Sequence, residues 1–181
     1  MTKENHTKYA ILGLLTTGCH SGYSIKQMID GSLNHFWKIS YGQIYPTLKQ
    51  LVEEGLATVK DTTQTGKPNK KEYYLTSDGK TALQSWLNNP IEAIPTEKNE
   101  LLLKLFFSRH QHADITINQI DHYLNQLTER YHTYLSIEQL ITENLLDQAD
   151  SPFWLITLDY GKRTTKAAIE WCEDTQEKLK E

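Results

Sequence analysis

The chain has 181 residues, of which 38% are hydrophobic and 23% are charged, and its formal net charge is −4. This composition is typical of a globular protein and argues against a disordered chain. The start of the sequence is unlike a signal peptide, no apolar run approaches membrane-spanning length, and Cys19 and Cys172 are far apart in no metal-binding spacing. We therefore expect a cytoplasmic protein with no membrane partner, no metal and no other cofactor.

The charge is distributed unevenly along the chain. Residues 1–85 contain ten lysines and seven acidic residues, so this part has a formal charge of +3 and the remainder has −7. A basic front half suits contact with a polyanion such as DNA, and an acidic rear half indicates a different role.

Residues that commonly begin or end helices mark the first two helices of the chain. A helix is predicted over residues 6–17, with Gly18 as its stop, and Ser21 is a suitable N-cap for the second helix. Residues 31–37 are expected to form a linker in which Phe36 and Trp37 fill the core.

Residues 42–54 predict one amphipathic helix, the third of the chain. Its apolar stripe consists of Ile44, Leu48, Leu51 and Val52. Its opposite face carries Gln43, Tyr45 and Lys49, which are donors suited to base edges and phosphates. Ser40 and Gln43 have the spacing of a capping box, and Pro46 predicts an irregular or kinked first turn.

A hairpin and a fourth helix follow the third helix. Residues 56–61 and 72–75 predict strands, the turn over residues 64–71 is basic, and Thr76 begins a helix that continues to residue 87. A helix followed by a hairpin with a basic tip is the layout of a winged helix-turn-helix. We therefore predict a mainly α protein with a β-hairpin wing, whose DNA-binding domain comprises residues 1–89.

The rear domain, residues 90–181, is predicted to be helical. Residues 101–107 are almost entirely apolar, residues 116–146 have apolar side chains spaced by threes and fours, and Ser151-Pro152 begins a last helix. Such a heptad seam is hard to bury within one chain, so we expect a homodimer that buries it. The dimer would also hold two DNA-reading helices at the spacing of a palindromic operator. The expected dimer contacts are Leu103, Phe106, Ile120, Leu124, Leu127, Tyr131, Leu158 and Ala168.

Five segments of the front half carry a family resemblance: YAILGLL (9–15), SGYSI (21–25), QIYPTLKQL (43–51), EGL (54–56) and YYLT (73–76). In order and spacing they resemble the N-terminal domain of PadR-family transcriptional regulators. The segment ELLLKLFF (100–107) and the length of the rear half resemble the subfamily with a longer, three-helix dimerisation domain. The resemblance implies a winged-helix dimer that represses genes and is released by a small molecule, which for some members is a phenolic acid.

The candidate DNA contacts are Tyr23, Lys26, Ser40, Tyr41, Gln43, Tyr45, Lys49, Lys67, Lys70 and Lys71. Gln43 either reaches an adenine or only caps its helix, and the Tyr23 ring either contacts phosphate or packs. The three wing lysines are phosphate contacts or a merely solvated turn. Many family members have arginine in the wing, and lysine lacks the fork that reads guanine.

A flat aromatic effector would need an apolar pocket in the rear half. Its candidate lining is Tyr131, Tyr134, Trp154, Tyr160 and Trp171, although aromatic residues at helical spacing also form ordinary cores. The sequence contains no motif of nucleophilic, phosphate-binding or metal-dependent catalysis, so we do not expect an enzyme. The expected function is a repressor released by a ligand or a stress signal, and the alternative is a protein-interaction module that keeps the fold without binding DNA.

Overall fold

The computed structural model describes residues 5–62, 70–94 and 96–180, without the side chains of Thr62 and Lys70. The chain divides into two compact units, Met1–Ile94 and Pro95–Glu181. The predicted boundary after residue 89 lies in the same interhelical segment as this division.

The described residues of unit 1 form four α-helices, a short 3-10 helix and a two-stranded antiparallel sheet. Its α-helices and strands in chain order are α1 (His6–Thr16), α2 (Gly22–Gly31), α3 (Tyr41–Glu53), β1 (Ala57–Thr62), β2 (Lys70–Leu75) and α4 (Ser77–Asn88). In the hairpin, Ala57 pairs with Leu75 and Thr62 pairs with Lys70. The fold prediction is confirmed, including the caps at Ser21 and Thr76, whose side chains accept from Ser24 N and Gly79 N.

The core of unit 1 lies between α1, α2 and α3. Its fully buried aliphatic side chains are Ile11, Leu12, Ile25, Ile29, Ile44, Leu48 and Leu51. At the far end of α3, Lys8 Nζ donates to Glu54 Oε2 at 2.5 Å, so the pKa of this carboxyl is lowered from its ordinary value. The core and this ion pair together fix which face of α3 points outward. The helix Tyr41–Glu53 continues through Pro46, which lacks the N–H that would donate to the carbonyl four residues earlier, and the kink predicted there stays a prediction.

Phe36 and Trp37 do not fill the core as predicted. Their exposed fractions are 60% and 41%, and the Trp37 ring meets the His6 ring edge-on at 5.3 Å. A short 3-10 helix, Leu33–His35, changes the direction of the chain here, so that Leu33 packs against the core and Ile39 is buried. These two aliphatic side chains occupy the place expected for the aromatic rings.

Unit 2 is a helical hairpin with a short helix before it. The helices are α5 (Glu100–Phe106), α6 (Ala113–Asn144) and α7 (Ser151–Lys178). The two long helices pack along each other, and Gly161 of α7 allows the close approach, since an added Cβ would lie 3.1 Å from Tyr134 Cε2. Glu138, the polar residue in the seam, pairs with Lys162 Nζ at 2.6 Å.

The expectation that the α6 seam needs a second chain is wrong, because α7 covers it. Ile120 and Leu127 are 0% and 4% exposed, and Leu158 of α7 is 9% exposed. Leu124 and Ala168 are partly buried against the same cluster. Ile120, Leu127 and Leu158 are therefore buried within one chain, whereas contact of Leu124 and Ala168 with a second chain stays a prediction. Leu103 and Phe106 are different, since 62% and 83% of their surface is exposed.

Within residues 5–62, 70–94 and 96–180, no helix is long and apolar enough to cross a membrane.

Candidate nucleic-acid interface

The outer face of α3 is the centre of the candidate interface. Ile44 and Leu48 hold the inner face in the core, and Tyr41 and Tyr45 on the outer face are 48% and 61% exposed. The Lys49 side chain is 79% exposed and pairs with Glu53 at 3.5 Å, a weak surface contact that DNA phosphate can replace. The helix therefore presents two phenols and an ammonium group to a partner.

The first turn of α3 contains the Gln43 half of the predicted capping box, in which Ser40 N donates to Gln43 Oε1 at 3.1 Å. Gln43 N donates to the backbone carbonyl oxygen of Ser40 at 2.9 Å. Of the two alternatives for Gln43, the capping role is therefore present in the structure. A contact between Gln43 and DNA stays a prediction.

Tyr41 joins a cluster that sequence reasoning did not find. Its hydroxyl donates to the Asp30 carboxylate, and the Lys26 ammonium lies 4.4 Å from the centroid of its ring. The hydrogen bond to Asp30 raises the pKa of Tyr41 above its ordinary value. Two of the predicted DNA contacts, Lys26 and Tyr41, therefore lie together, and Asp30 of α2 lies beside them.

Tyr45 lies across the first turn of α2. A Cβ added to Gly22 would lie 2.6 Å from Tyr45 Cε1, so the ring depends on this glycine for its position. Tyr73 of β2 is a largely buried residue whose pKa is raised by burial and, to a smaller extent, by Tyr45. Tyr45 therefore sits where α2, α3 and the hairpin meet.

Gly22→Ala should displace the Tyr45 ring with little loss of stability. The clash involves the far end of a side chain, which can rotate away, rather than backbone atoms. We expect DNA affinity to fall by about as much as in Tyr45→Ala, while the melting temperature stays near that of the wild type. Fluorescence anisotropy with labelled DNA and thermal unfolding measure the two effects.

Gly31→Ala is the matched control, because nothing lies within 4 Å of a Cβ at that position. Equal DNA affinity of the Gly22→Ala variant and the wild type would show that the Tyr45 ring position is irrelevant to binding.

Tyr23 projects from the start of α2. It is 65% exposed, and its hydroxyl accepts from Gln27 Nε2 at 3.2 Å. Its ring is therefore not packed in the core, which favours the surface role among the two alternatives.

The hairpin contacts the segment between α1 and α2 through a hydrogen bond and a ring stack. Tyr73 N donates to His20 O at 2.7 Å, and the His20 ring stacks on Tyr74 with a centroid distance of 4.5 Å. Lys71 is exposed, whereas Lys67 and the Lys70 side chain lie outside the described residues. A sequence pattern gives no signal for His20, because its partner is more than fifty positions away in the chain.

The five aromatic residues proposed for an effector pocket do not form one cluster. Tyr134 is buried with the half-buried Trp154 beside it, whereas Tyr160 is 71% exposed. Tyr131 is half-buried and Trp171 is 37% exposed. None of the five lines the open cleft of about 710 Å³ between α5 and α6, whose lining includes Asn99, Lys104, Gln119 and Tyr123.

No group of three metal-ligating side chains that could hold an ion is found in the part of the chain that the structure describes. A three-helix core, a hairpin beside its third helix and a polar outer face on that helix define a winged helix-turn-helix protein.

Comparison with known proteins identifies the family. Residues 11–85 match the model of the transcriptional regulator PadR-like family, and residues 97–180 match the virulence activator alpha C-terminal model. The negative transcriptional regulator PadR of Bacillus subtilis is 39% identical over 170 residues, which are 92% of this chain and 93% of that protein. The chain belongs to the PadR-like family of transcriptional regulators.

Two solved structures of the Bacillus subtilis protein show the same fold. The crystal structure of PadR in complex with operator DNA matches with a TM-score of 0.86 and 30% identity, covering 97% of this chain and 99% of that one. The crystal structure of PadR in complex with p-coumaric acid matches with a TM-score of 0.78 and 30% identity, covering 96% and 98%.

Proposed function

We propose that this protein is a dimeric repressor that binds a palindromic DNA operator and is released by a small phenolic ligand. The observation that carries the proposal is the outer face of α3, where Tyr41, Tyr45 and Lys49 are exposed on a helix whose inner face is locked in the core. The likeness to PadR bound to operator DNA supports the same use of this face. The protein acts by binding, without catalysis, and in the cytoplasm.

Each element of unit 1 has a separate task in this proposal. The start of α3 enters the major groove, Tyr23 and Lys26 of α2 meet the backbone at one side, and the hairpin lysines meet it at the other. Tyr45 lies at the junction of these elements and is placed to contact phosphate or a base edge. Ser40 and Gln43 lie where the groove floor would be.

Unit 2 would form the dimer through α5. Three apolar side chains of α5, Leu102, Leu103 and Phe106, are at least half exposed, and so is Phe107 directly after the helix. Adjacent apolar side chains that one chain leaves uncovered are typical of a protein interface. Tyr134 with the neighbouring Trp154 and, separately, the half-buried Tyr131 remain candidates for contacts with the effector.

Binding to DNA from upstream of the protein's own coding region tests the proposal. A gel shift should show a complex that random DNA of equal length does not form at the same concentration, and p-coumaric acid should dissociate it. The alternative function, a protein-interaction module, predicts no shift with either DNA at any salt concentration. Operator binding that phenolic acids do not change would contradict a phenolic effector, while the proposal of a DNA-binding repressor would stand.

We predict that Lys67, Lys70 and Lys71 supply affinity and little specificity. Replacing all three with alanine should weaken binding to operator and random DNA alike, since phosphate contacts do not report sequence. The slope of log affinity against log salt should flatten by up to about three phosphate contacts per subunit. Anisotropy titrations across a salt series give this slope.

The matched control replaces the exposed Lys166, Lys178 and Lys180 of unit 2 with alanine, which changes the net charge equally. That variant should keep the wild-type salt slope if its fold is intact by circular dichroism. An unchanged slope in the wing variant would show that the wing lysines do not contact phosphate.

A further inference from the structure

Asp30 places a carboxylate among the residues assigned to the DNA backbone. It lies near the end of α2 and accepts a hydrogen bond from the Tyr41 hydroxyl at the start of α3. Asn34 Nδ2 also donates to it, at 3.1 Å. Both Asp30 and Tyr41 are exposed, so the pair faces the solvent that DNA would replace.

A tyrosine hydroxyl has a single proton to donate. In this structure that proton is directed at a carboxylate oxygen, which is the same kind of anionic acceptor as a phosphate oxygen. Tyr41 therefore cannot donate to phosphate until it leaves Asp30. The Lys26 ammonium lies 4.4 Å from the centroid of the same Tyr41 ring.

We propose that Asp30 competes with DNA phosphate for the Tyr41 hydroxyl and so sets a lower affinity for DNA of every sequence. The inference rests on the proposed function. Asp30 acts through Tyr41 and does not itself read DNA, because its charge has the same sign as the backbone. Since phosphate is present in all DNA, the competition lowers affinity for operator and random sequences by the same factor.

Asp30→Asn tests the competition with little change of shape. The amide oxygen still accepts a hydrogen bond, but it is a weaker acceptor than a carboxylate and it carries no charge. Affinity for operator and for scrambled DNA should each rise about tenfold, with their ratio unchanged. Asp78→Asn removes an equally exposed carboxylate from the first turn of α4, and its effect should be much smaller.

A mutant cycle with Tyr41→Phe shows whether the effect passes through the hydroxyl. In the wild type, Tyr41→Phe should reduce DNA affinity only slightly, because the hydroxyl must break its hydrogen bond to Asp30 before it can form one to phosphate. In the Asp30→Asn background the same change should cost severalfold more. Equal costs in the two backgrounds, or an Asp30→Asn variant no tighter than Asp78→Asn, would overturn the proposal.

A measurement without DNA separates this proposal from the function on which it rests. Asp30→Asn should lower the pKa of Tyr41, followed by NMR of protein with carbon-labelled tyrosine rings. If the wild type binds no DNA, both proposals are wrong, even if Asp30→Asn lowers the pKa of Tyr41. A wild type that binds operator while Asp30→Asn leaves affinity unchanged would remove the competition and keep the repressor.

Discussion

Replacing Leu103 and Phe106 together with aspartate should convert the protein to a monomer of 21.0 kDa. The two side chains are 62% and 83% exposed on α5, so the substitutions leave no uncompensated charge in the chain's own core. They place four carboxylates in a symmetric interface, where burying unpaired charge is costly. Multi-angle light scattering at low micromolar concentration measures the mass.

The same variant should lose operator affinity by about 10²–10⁴-fold, because the second DNA-reading unit no longer binds at a high effective concentration. Circular dichroism should remain that of the wild type. Asn118→Asp with Asn125→Asp adds the same two charges at exposed positions of α6 and should stay dimeric. A variant of Leu103 and Phe106 that still has the dimer mass would show that α5 is not the interface.

Leu127→Asp gives a contrasting result. Leu127 is 4% exposed between α6 and α7, so an aspartate there should unfold unit 2 rather than merely separate two folded chains. The circular dichroism signal distinguishes these two outcomes. The comparison separates residues that hold one chain together from those that join two.

Gly79→Ala should be among the most destabilising small substitutions in unit 1. A Cβ there would lie 2.1 Å from Leu56 O and 2.8 Å from Leu75 Cδ1, and the first of these atoms belongs to the backbone. The start of α4 cannot move away easily, since Thr76 N donates to Leu56 O and Thr76 Oγ1 donates to Gly55 O. We expect a loss of about 3 kcal/mol, at the upper end for overpacking.

For a unit of this size, that loss lowers the melting temperature by roughly 10–20 °C. Gly13→Ala is the matched control, because Gly13 lies inside α1 with nothing within 4 Å of an added Cβ. It should raise stability by about 0.5–1 kcal/mol, as alanine does in a helix. Equal melting temperatures for the two variants would contradict the close approach of α4 to the turn before β1.

Local signals explain what the sequence predicts correctly. The amphipathic pattern of α3, the caps at Ser21 and Thr76 and the basic hairpin all depend on residues within a few positions of each other. Such interactions are visible in a single sequence because the spacing itself determines the geometry. These elements are sufficient to predict a winged helix.

The errors arise where two elements meet. A heptad pattern reports that a helix face is apolar, but not whether its partner is α7 of the same chain or a helix of another. The contacts of Asp30 with Tyr41 and of Gly22 with Tyr45 depend on the angle between α2 and α3. The sequence predicts Phe36 and Trp37 in the core, whereas the turn over Leu33–His35 leaves Leu33 packed against the core and Ile39 buried in it.

The cap at the start of α3 limits what Gln43 can recognise. A bidentate contact with adenine requires both ends of the side-chain amide to face the base, as acceptor and donor. In the structure the carbonyl end faces the Ser40 N–H. While the cap remains, the amide nitrogen is the end left to contact a base, and a lone donor can pair with N7 of either purine, O6 of guanine or O4 of thymine. An operator position facing Gln43 would then show only a weak preference among adenine, guanine and thymine.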